Sequence, residues 1–142
     1  MGDRRQAREL VLQALFSFDM NTSDVGRFDS DQSLDAFCVN NEEKLTKGVK
    51  PFFMDLVKGV MENRSQIDAL LNQYSKNWKI TRMPVVDRNI MRIAIFEFLK
   101  QTDIPPSVTI NEAVEIGKKY GTRDSGSFIN GVLDRIKLLE GF

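Results

Sequence analysis

The sequence of 142 residues contains no histidine and only one cysteine, Cys38. Without histidine, the Ser-His-Asp triad, imidazole acid–base catalysis and histidine-ligated zinc or haem sites are excluded. One cysteine cannot form an intramolecular disulfide, which is typical of proteins from a reducing cytoplasm. No segment matches a phosphate loop, a dinucleotide-binding fingerprint or a calcium loop. We therefore expect no active site and no bound cofactor or metal.

Long apolar runs and an excess of one charge are also missing. The longest apolar tracts, such as residues 93–96, fall far short of the roughly 20 residues that cross a bilayer. No secretion signal is recognisable, so a soluble, cytoplasmic chain is expected. Lys and Arg number 20, as do Asp and Glu. Because no global field attracts polyanions, any nucleic-acid-binding surface must be local. The length and the 42% hydrophobic content predict one globular domain over residues 1–142.

Apolar side chains recur at three- and four-residue steps along the chain, and no pattern typical of strands is present. This periodicity predicts an all-α fold. The apolar stripes lie in residues 7–18, 34–38, 52–61, 67–74, 86–99, 110–114 and 128–139.

Proline and capping residues mark the helix boundaries. Pro51 fits a first helical turn, and Pro84 opens the next long helix. Ser65 is predicted to cap a helix that follows a tight connection. Thr109 and Glu112 have the spacing of a capping box, which predicts that a helix begins immediately after Thr109.

The helix predicted after Pro84 is apolar on almost every side, which is typical of a central, buried helix. Glu97 falls on the same face as Ile90 and Ala94. A buried carboxylate without a partner is costly. We therefore expect Glu97 to find a hydrogen-bond donor in the folded protein.

Arg4, Arg5 and Arg8 crowd the start of the first predicted helix. A solvated helix end is the more frequent role of such a group. The alternative is a phosphate clamp, because the planar guanidinium group suits phosphate. A second basic group could extend this surface if the helices pack alongside one another; it consists of Lys76, Lys79, Arg82, Arg88 and Arg92.

Most of the ten phenylalanines are expected in the core, but Phe128 is a candidate for another role. It lies in the first turn of the last predicted helix, beside Asp124, Ser125 and Gly126. A ring in this position can project past small neighbours and stack on an unpaired base. Asp124 or Ser125 is predicted to cap this helix.

Four segments occur in a characteristic order: Arg4–Glu9 leading into Gln13–Phe16, then Met91–Glu97, Ile110–Glu115 and Phe128–Asp134. Together they resemble the NusB family of bacterial transcription antitermination factors. The resemblance covers nearly the whole chain except roughly residues 21–50. It implies an all-α fold of about seven helices in two packed three-helix subdomains.

The resemblance also implies a function. Members of this family are non-catalytic and bind the boxA element of nascent ribosomal RNA leaders as a heterodimer with NusE, a small-subunit ribosomal protein. The complex then acts on the RNA polymerase elongation complex. By position, RNA binding is expected of Arg4, Arg5, Arg8, Asp124 and Phe128. Docking of NusE is expected of Phe16 and Asp87, with Phe16 standing where a tyrosine is common.

Two other functions stay open at this point. One is an accessory RNA-binding domain that acts with a separate RNA cytosine methyltransferase. The other is a structural homodimer formed through an exposed Phe16 surface.

Overall fold

The computed structural model describes residues 2–21, 30–75 and 79–142, and within these ranges it contains seven α-helices and no strand. The predicted all-α class is confirmed. The helices are α1 (Asp3–Asn21), α2 (Ser30–Asn40), α3 (Lys50–Glu62), α4 (Arg64–Tyr74), α5 (Val85–Lys100), α6 (Pro106–Tyr120) and α7 (Ser125–Glu140). A short 3₁₀ helix, Ile80–Arg82, precedes α5.

Helix α5 is the centre of the molecule. Every residue from Asn89 to Phe98 is buried, and α5 packs against α1, α3, α4, α6 and α7. Helices α1, α2 and α3 group on one side, while α6 and α7 form an antiparallel hairpin that packs on α5 together with α4. One continuous apolar core joins both groups. The prediction that α5 is a central, buried helix is therefore confirmed.

Two of the predicted helix starts are confirmed and two are wrong. Pro51 lies in the first turn of α3, and Pro84 is the N-cap of α5. Helix α4 begins at Arg64, not after Ser65, because only Asn63 separates it from α3. The Asn63 amide donates to Gly59 O at 2.8 Å and so completes the end of α3 instead of capping α4.

The predicted capping box of Thr109 and Glu112 is also wrong. Helix α6 begins at Pro106, so both residues lie inside it. Their side chains are used in contacts between helices: Thr109 Oγ1 donates to Glu97, and Glu112 accepts hydrogen bonds from Arg5.

Helices α3 and α5 approach closely at Gly59. A Cβ atom at this position would lie 2.1 Å from Cζ of the Phe96 ring, with two further ring atoms within 2.6 Å. Real atoms do not approach so closely, so the ring occupies the space that a side chain would need. The absence of a side chain at Gly59 therefore sets the separation of these two helices.

An ion-pair network ties the end of α1 to α4 and α5. The carboxylate of Asp19 accepts hydrogen bonds from Arg88, Asn89 and Arg92, and Arg92 also donates twice to Asp68. Burial raises the pKa of Asp19, but the Asn89 hydrogen bond and the charges of Arg92 and Arg88 outweigh it, so the net shift is downward.

No described helix of the bundle is a candidate for a membrane span. None of the helices in the described ranges combines the length and apolar character that a membrane crossing requires. The stripe predicted in residues 34–38 is confirmed as α2, whereas residues 22–29 lie outside the described residues.

Candidate nucleic-acid interface

Arg4 lies on the surface at the start of α1. Its Nη2 is 3.5 Å from Asp103 Oδ2, and its guanidinium carbon is 5.2 Å from the centroid of the Phe52 ring. Both side chains of this ion pair are more than half exposed, so water screens the pair and it contributes little to stability. Arg4 is therefore accessible to an anion.

Arg5 is held by Glu112 of α6. Nε and Nη2 of Arg5 donate to the two carboxylate oxygens at 2.6 and 3.0 Å. These hydrogen bonds raise the pKa of Arg5 and lower the pKa of Glu112. The Arg5 side chain remains 40% exposed, so its guanidinium group stays at the surface in a fixed orientation.

Arg8 differs from its two neighbours because it is buried. Its Nε and Nη2 donate to both carboxylate oxygens of Glu97 at 2.9 and 2.7 Å, and Phe52 covers the guanidinium carbon at 5.3 Å from the ring centroid. Thr109 Oγ1 donates a third hydrogen bond to Glu97 at 3.1 Å. The expected partner of Glu97 is thus found. The charged atoms of Arg8 are directed into the protein and not at solvent.

A groove of about 310 Å³ lies where the turn before α7 faces the start of α5. Asp124, at the N-cap of α7, is exposed, and the half-buried Phe128 ring packs partly against the apolar core. The groove is lined by Arg82, Pro84, Asp87, Thr122, Asp124 and Phe128. Two of the residues predicted to bind RNA and one predicted to bind the partner therefore share one groove.

Asp87 forms the buried side of this groove and is only 3% exposed. Ser125 Oγ donates to Asp87 Oδ1 at 2.7 Å and accepts from the backbone N–H of Thr122 at 2.9 Å. Burial raises the pKa of Asp87, and the Ser125 hydrogen bond opposes this shift. The carboxylate of Asp87 is thus connected to the turn that carries Asp124.

Phe16 is exposed on α1, as the predicted docking role requires. Met20, one helical turn further on, is 62% exposed, so the two side chains lie on the same side of the helix. Sequence analysis missed Met20, although its spacing of four residues from Phe16 was the available signal.

Glu9, Lys119 and Tyr120 join α1 to the end of α6 and were not singled out from the sequence. Lys119 Nζ donates to Glu9 Oε1 at 2.7 Å, and the Tyr120 hydroxyl donates to the same oxygen. Burial raises the pKa of Tyr120, and Glu9 raises it further. More than 100 residues separate the two elements, so no local pattern predicted this contact.

The two predicted RNA-binding groups are both placed relative to α6. Arg5 contacts α6 at Glu112, and the groove begins just after α6 ends at Tyr120. Eight residues of helix span about 12 Å. This stretch of α6 therefore lies between the Arg5 contact and the groove.

The second basic group is divided by the structure. Arg88 and Arg92 are held by Asp19, and Arg92 is buried. Lys79 and Arg82 are exposed, and Arg82 lines the groove. Lys76 lies outside the described residues. Arg88 and Arg92 are therefore part of the ion-pair network, and of the described residues in this group only Lys79 and Arg82 remain exposed.

The pattern of helices and surface residues agrees with a known protein family. A family model for the NusB family matches residues 5–137. The chain belongs to the NusB family. A relative from Desulforapulum autotrophicum, the transcription antitermination protein NusB, is 61% identical over 140 residues, which are 99% of this chain and 94% of that protein. Membership confirms the predicted class of function, a non-catalytic factor in transcription antitermination.

Solved NusB structures have the same fold. T. maritima NusB is 41% identical, with a TM-score of 0.79 over 94% of this chain and 89% of that chain. A structure of the antitermination factors NusB and NusE in complex with dsRNA has a TM-score of 0.80 at 24% identity and covers 96% of this chain and 97% of that chain. At that identity, the second likeness shows the fold alone.

Proposed function

We propose that this chain binds the boxA element of nascent ribosomal RNA leaders as a heterodimer with NusE and acts on the RNA polymerase elongation complex in the bacterial cytoplasm. Membership of the NusB family supports this proposal. The observation that carries it is the presence of two accessible arginines at the start of α1, one of them held by Glu112 of α6, and of an aromatic groove just beyond the end of α6. One group suits phosphates and the other suits an unpaired base.

Arg5 is the strongest candidate for a phosphate contact. Its hydrogen bonds to Glu112 use Nε and Nη2, and the Nη1 amino group carries two more donors. Because Glu112 already fixes the guanidinium plane, a phosphate that binds there pays little for ordering the side chain. Arg4 adds a second, more loosely held charge. Arg8 supports them from inside, since it is buried and pairs with Glu97.

The groove is suited to a base and not to a phosphate. Asp87 and Asp124 repel phosphate, but the exposed Asp124 carboxylate can accept a hydrogen bond from the exocyclic amine of a base. The Phe128 ring offers a stacking surface, and one stacked base contributes about 1–3 kcal/mol. Arg82 lies at the same groove and supplies a positive charge for the backbone of a bound nucleotide.

We propose the exposed pair Phe16 and Met20 as the docking surface for NusE. Three phosphate contacts, by Arg4, Arg5 and Arg82, and one stacked base give weak binding with a single-strand salt slope of about −2.1. Selective binding of boxA therefore requires a composite surface to which the partner contributes. The methyltransferase alternative is not favoured, because the relative at 61% identity is an antitermination protein along nearly its whole length.

The test is a titration of fluorescein-labelled boxA RNA at several salt concentrations, with and without purified NusE. NusE should increase the affinity, and Arg5→Ala should lower it and reduce the salt slope by about 0.7. Phe128→Ala should lower the affinity without changing the slope. Lys58→Ala, on the exposed face of α3, is the matched control and should change neither.

Equal affinity with and without NusE would contradict the proposed heterodimer. Equal affinity of the wild type and Phe128→Ala would contradict the proposed groove. Gel filtration of the free protein distinguishes the proposed heterodimer from the homodimer alternative. The homodimer alternative predicts that the free protein elutes as a dimer and that Phe16→Asp converts it to a monomer.

A further inference from the structure

We infer that Asp87 is a positioning residue that fixes the RNA-binding end of α7 through Ser125. The inference rests on the proposed RNA-binding role of the groove. It assigns to Asp87 a function that its burial permits, since a carboxylate only 3% exposed has little surface to offer a partner.

The connection is a short chain of hydrogen bonds. Asp87 lies in the first turn of α5, and Ser125 is the first residue of α7. Ser125 Oγ donates to Asp87 Oδ1 at 2.7 Å, and the same oxygen accepts from Thr122 N–H at 2.9 Å. The hydroxyl group therefore joins α5 to the backbone of the turn that precedes α7.

The alternative ways of holding this turn are limited. Asp124 occupies the N-cap of α7, but its side chain makes no capping hydrogen bond. Ser125 is 1% exposed, and a Cβ atom on Gly121 would lie 2.3 Å from its hydroxyl oxygen. The turn is packed closely around the Ser125 hydroxyl. Thr122 Oγ1 also lies 3.3 Å from it, but Asp87 Oδ1 is much nearer at 2.7 Å, so the acceptor on Asp87 determines where that hydroxyl points.

Both RNA-binding residues of the groove depend on this position. Asp124 immediately precedes Ser125, and Phe128 follows it by three residues, in the same first turn of α7. A shift of Ser125 therefore moves the Asp124 carboxylate and the Phe128 ring together. A partner that contacts the start of α5 would change RNA affinity through this link, which provides a route for cooperative binding.

The experiment measures boxA RNA affinity, thermal unfolding and hydrogen exchange of amides 122–128 for four variants. Asp87→Ala and Ser125→Ala should each lower RNA affinity about three- to tenfold, as expected for one lost hydrogen bond. The double variant should bind RNA no more weakly than whichever single variant has the lower affinity, because both substitutions remove the same link. Asp87→Asn keeps an acceptor of the same shape and should bind RNA like the wild type.

Tyr74→Phe is the matched control. It removes a hydroxyl that donates to Glu140 at the other end of α7, at 3.0 Å. It should reduce stability without changing RNA affinity or exchange at residues 122–128. The single variants should speed exchange in this segment while the protein stays folded.

Folded Asp87→Ala and Ser125→Ala proteins that bind RNA like the wild type would overturn the inference, as would additive losses in the double variant. A loss in Asp87→Asn equal to that in Asp87→Ala would show that the charge acts directly and would also overturn it. Failure of the proposed function is seen separately, as absence of RNA binding by the wild type or unchanged binding by Phe128→Ala.

Discussion

Arg8 and Glu97 form two parallel hydrogen bonds in the interior, at 2.9 and 2.7 Å, although they are 89 residues apart in sequence. Both side chains are at most 5% exposed. Neighbouring arginines on one helix end therefore have different roles: Arg8 joins α1 to α5, while Arg4 and Arg5 remain at the surface.

We expect Arg8→Ala to lower the free energy of unfolding by about 3–5 kcal/mol, because it leaves the charge of Glu97 buried without its main partner. Arg5→Ala, the matched control at the surface, should cost less than about 1 kcal/mol. Urea denaturation measures both. The double variant Arg8→Met with Glu97→Leu should regain most of the loss, since it removes both charges. Equal costs for Arg8→Ala and Arg5→Ala would contradict the burial of Arg8.

Asp19→Asn should destabilise the protein in a pH-dependent way. In the folded protein the pKa of Asp19 is lowered from its ordinary value of 3.8, so the ionised form of Asp19 stabilises the folded state. This contribution is complete above the unfolded pKa and is lost as the pH falls through the lower folded pKa. The difference between wild type and variant should be largest near about pH 7 and shrink below about pH 4. Thermal unfolding across this range measures it; a difference that grew on acidification would exclude the network as its source.

Gly59→Ala should destabilise the protein by about 1–3 kcal/mol, although alanine favours helix by about 1 kcal/mol. The new methyl group would collide with the Phe96 ring. Gly131→Ala in α7 is the matched control, because its Cβ would meet nothing within 4 Å, and it should be neutral or stabilising. Calorimetric unfolding distinguishes the two. Adding Phe96→Leu should relieve Gly59→Ala; no relief would mean that the clash lies elsewhere.

Phe16→Asp should weaken NusE binding at least about tenfold, because it places a charge in the proposed apolar docking surface. Stability should change by less than about 1 kcal/mol, since the ring is already exposed. Val39→Asp on α2, which is 73% exposed, is the control and should leave binding unchanged. Isothermal titration calorimetry with NusE gives the affinities. Equal effects of both variants would indicate a general charge effect.

The helices could be predicted from the sequence because their apolar stripes repeat within a few residues. Glu97 illustrates the limit of such patterns. Its need for a donor followed from its place on an apolar face, but the identity of the donor, Arg8, depends on how α1 packs on α5. Local spacing carries no information about a contact between residues so far apart.

The error at Thr109 and Glu112 has the same origin. Their spacing is that of a capping box, but both side chains have better partners in other helices, Glu97 and Arg5. Tertiary contacts therefore overrode a local signal.

The residues of the candidate site could be named from the sequence, but their burial and their contacts with one another could not be predicted. Arg4, Arg5 and Arg8 look equivalent in sequence, yet Arg8 lies between Ala7 and Val11 on the face that packs on α5. Asp87 was predicted as a partner-docking residue with Phe16, and its place beside Asp124 and Phe128, its burial and its bond to Ser125 required the structure.

The central position of α5 has a consequence for synthesis. The apolar face of α1 packs on α3 and α5, and α5 ends 79 residues after α1. At roughly 5–20 residues per second, the ribosome needs roughly 4–16 s to make that length. During this interval the oldest helix of the nascent polypeptide has no completed surface to fold against, so it is the segment that a chaperone at the exit tunnel would bind.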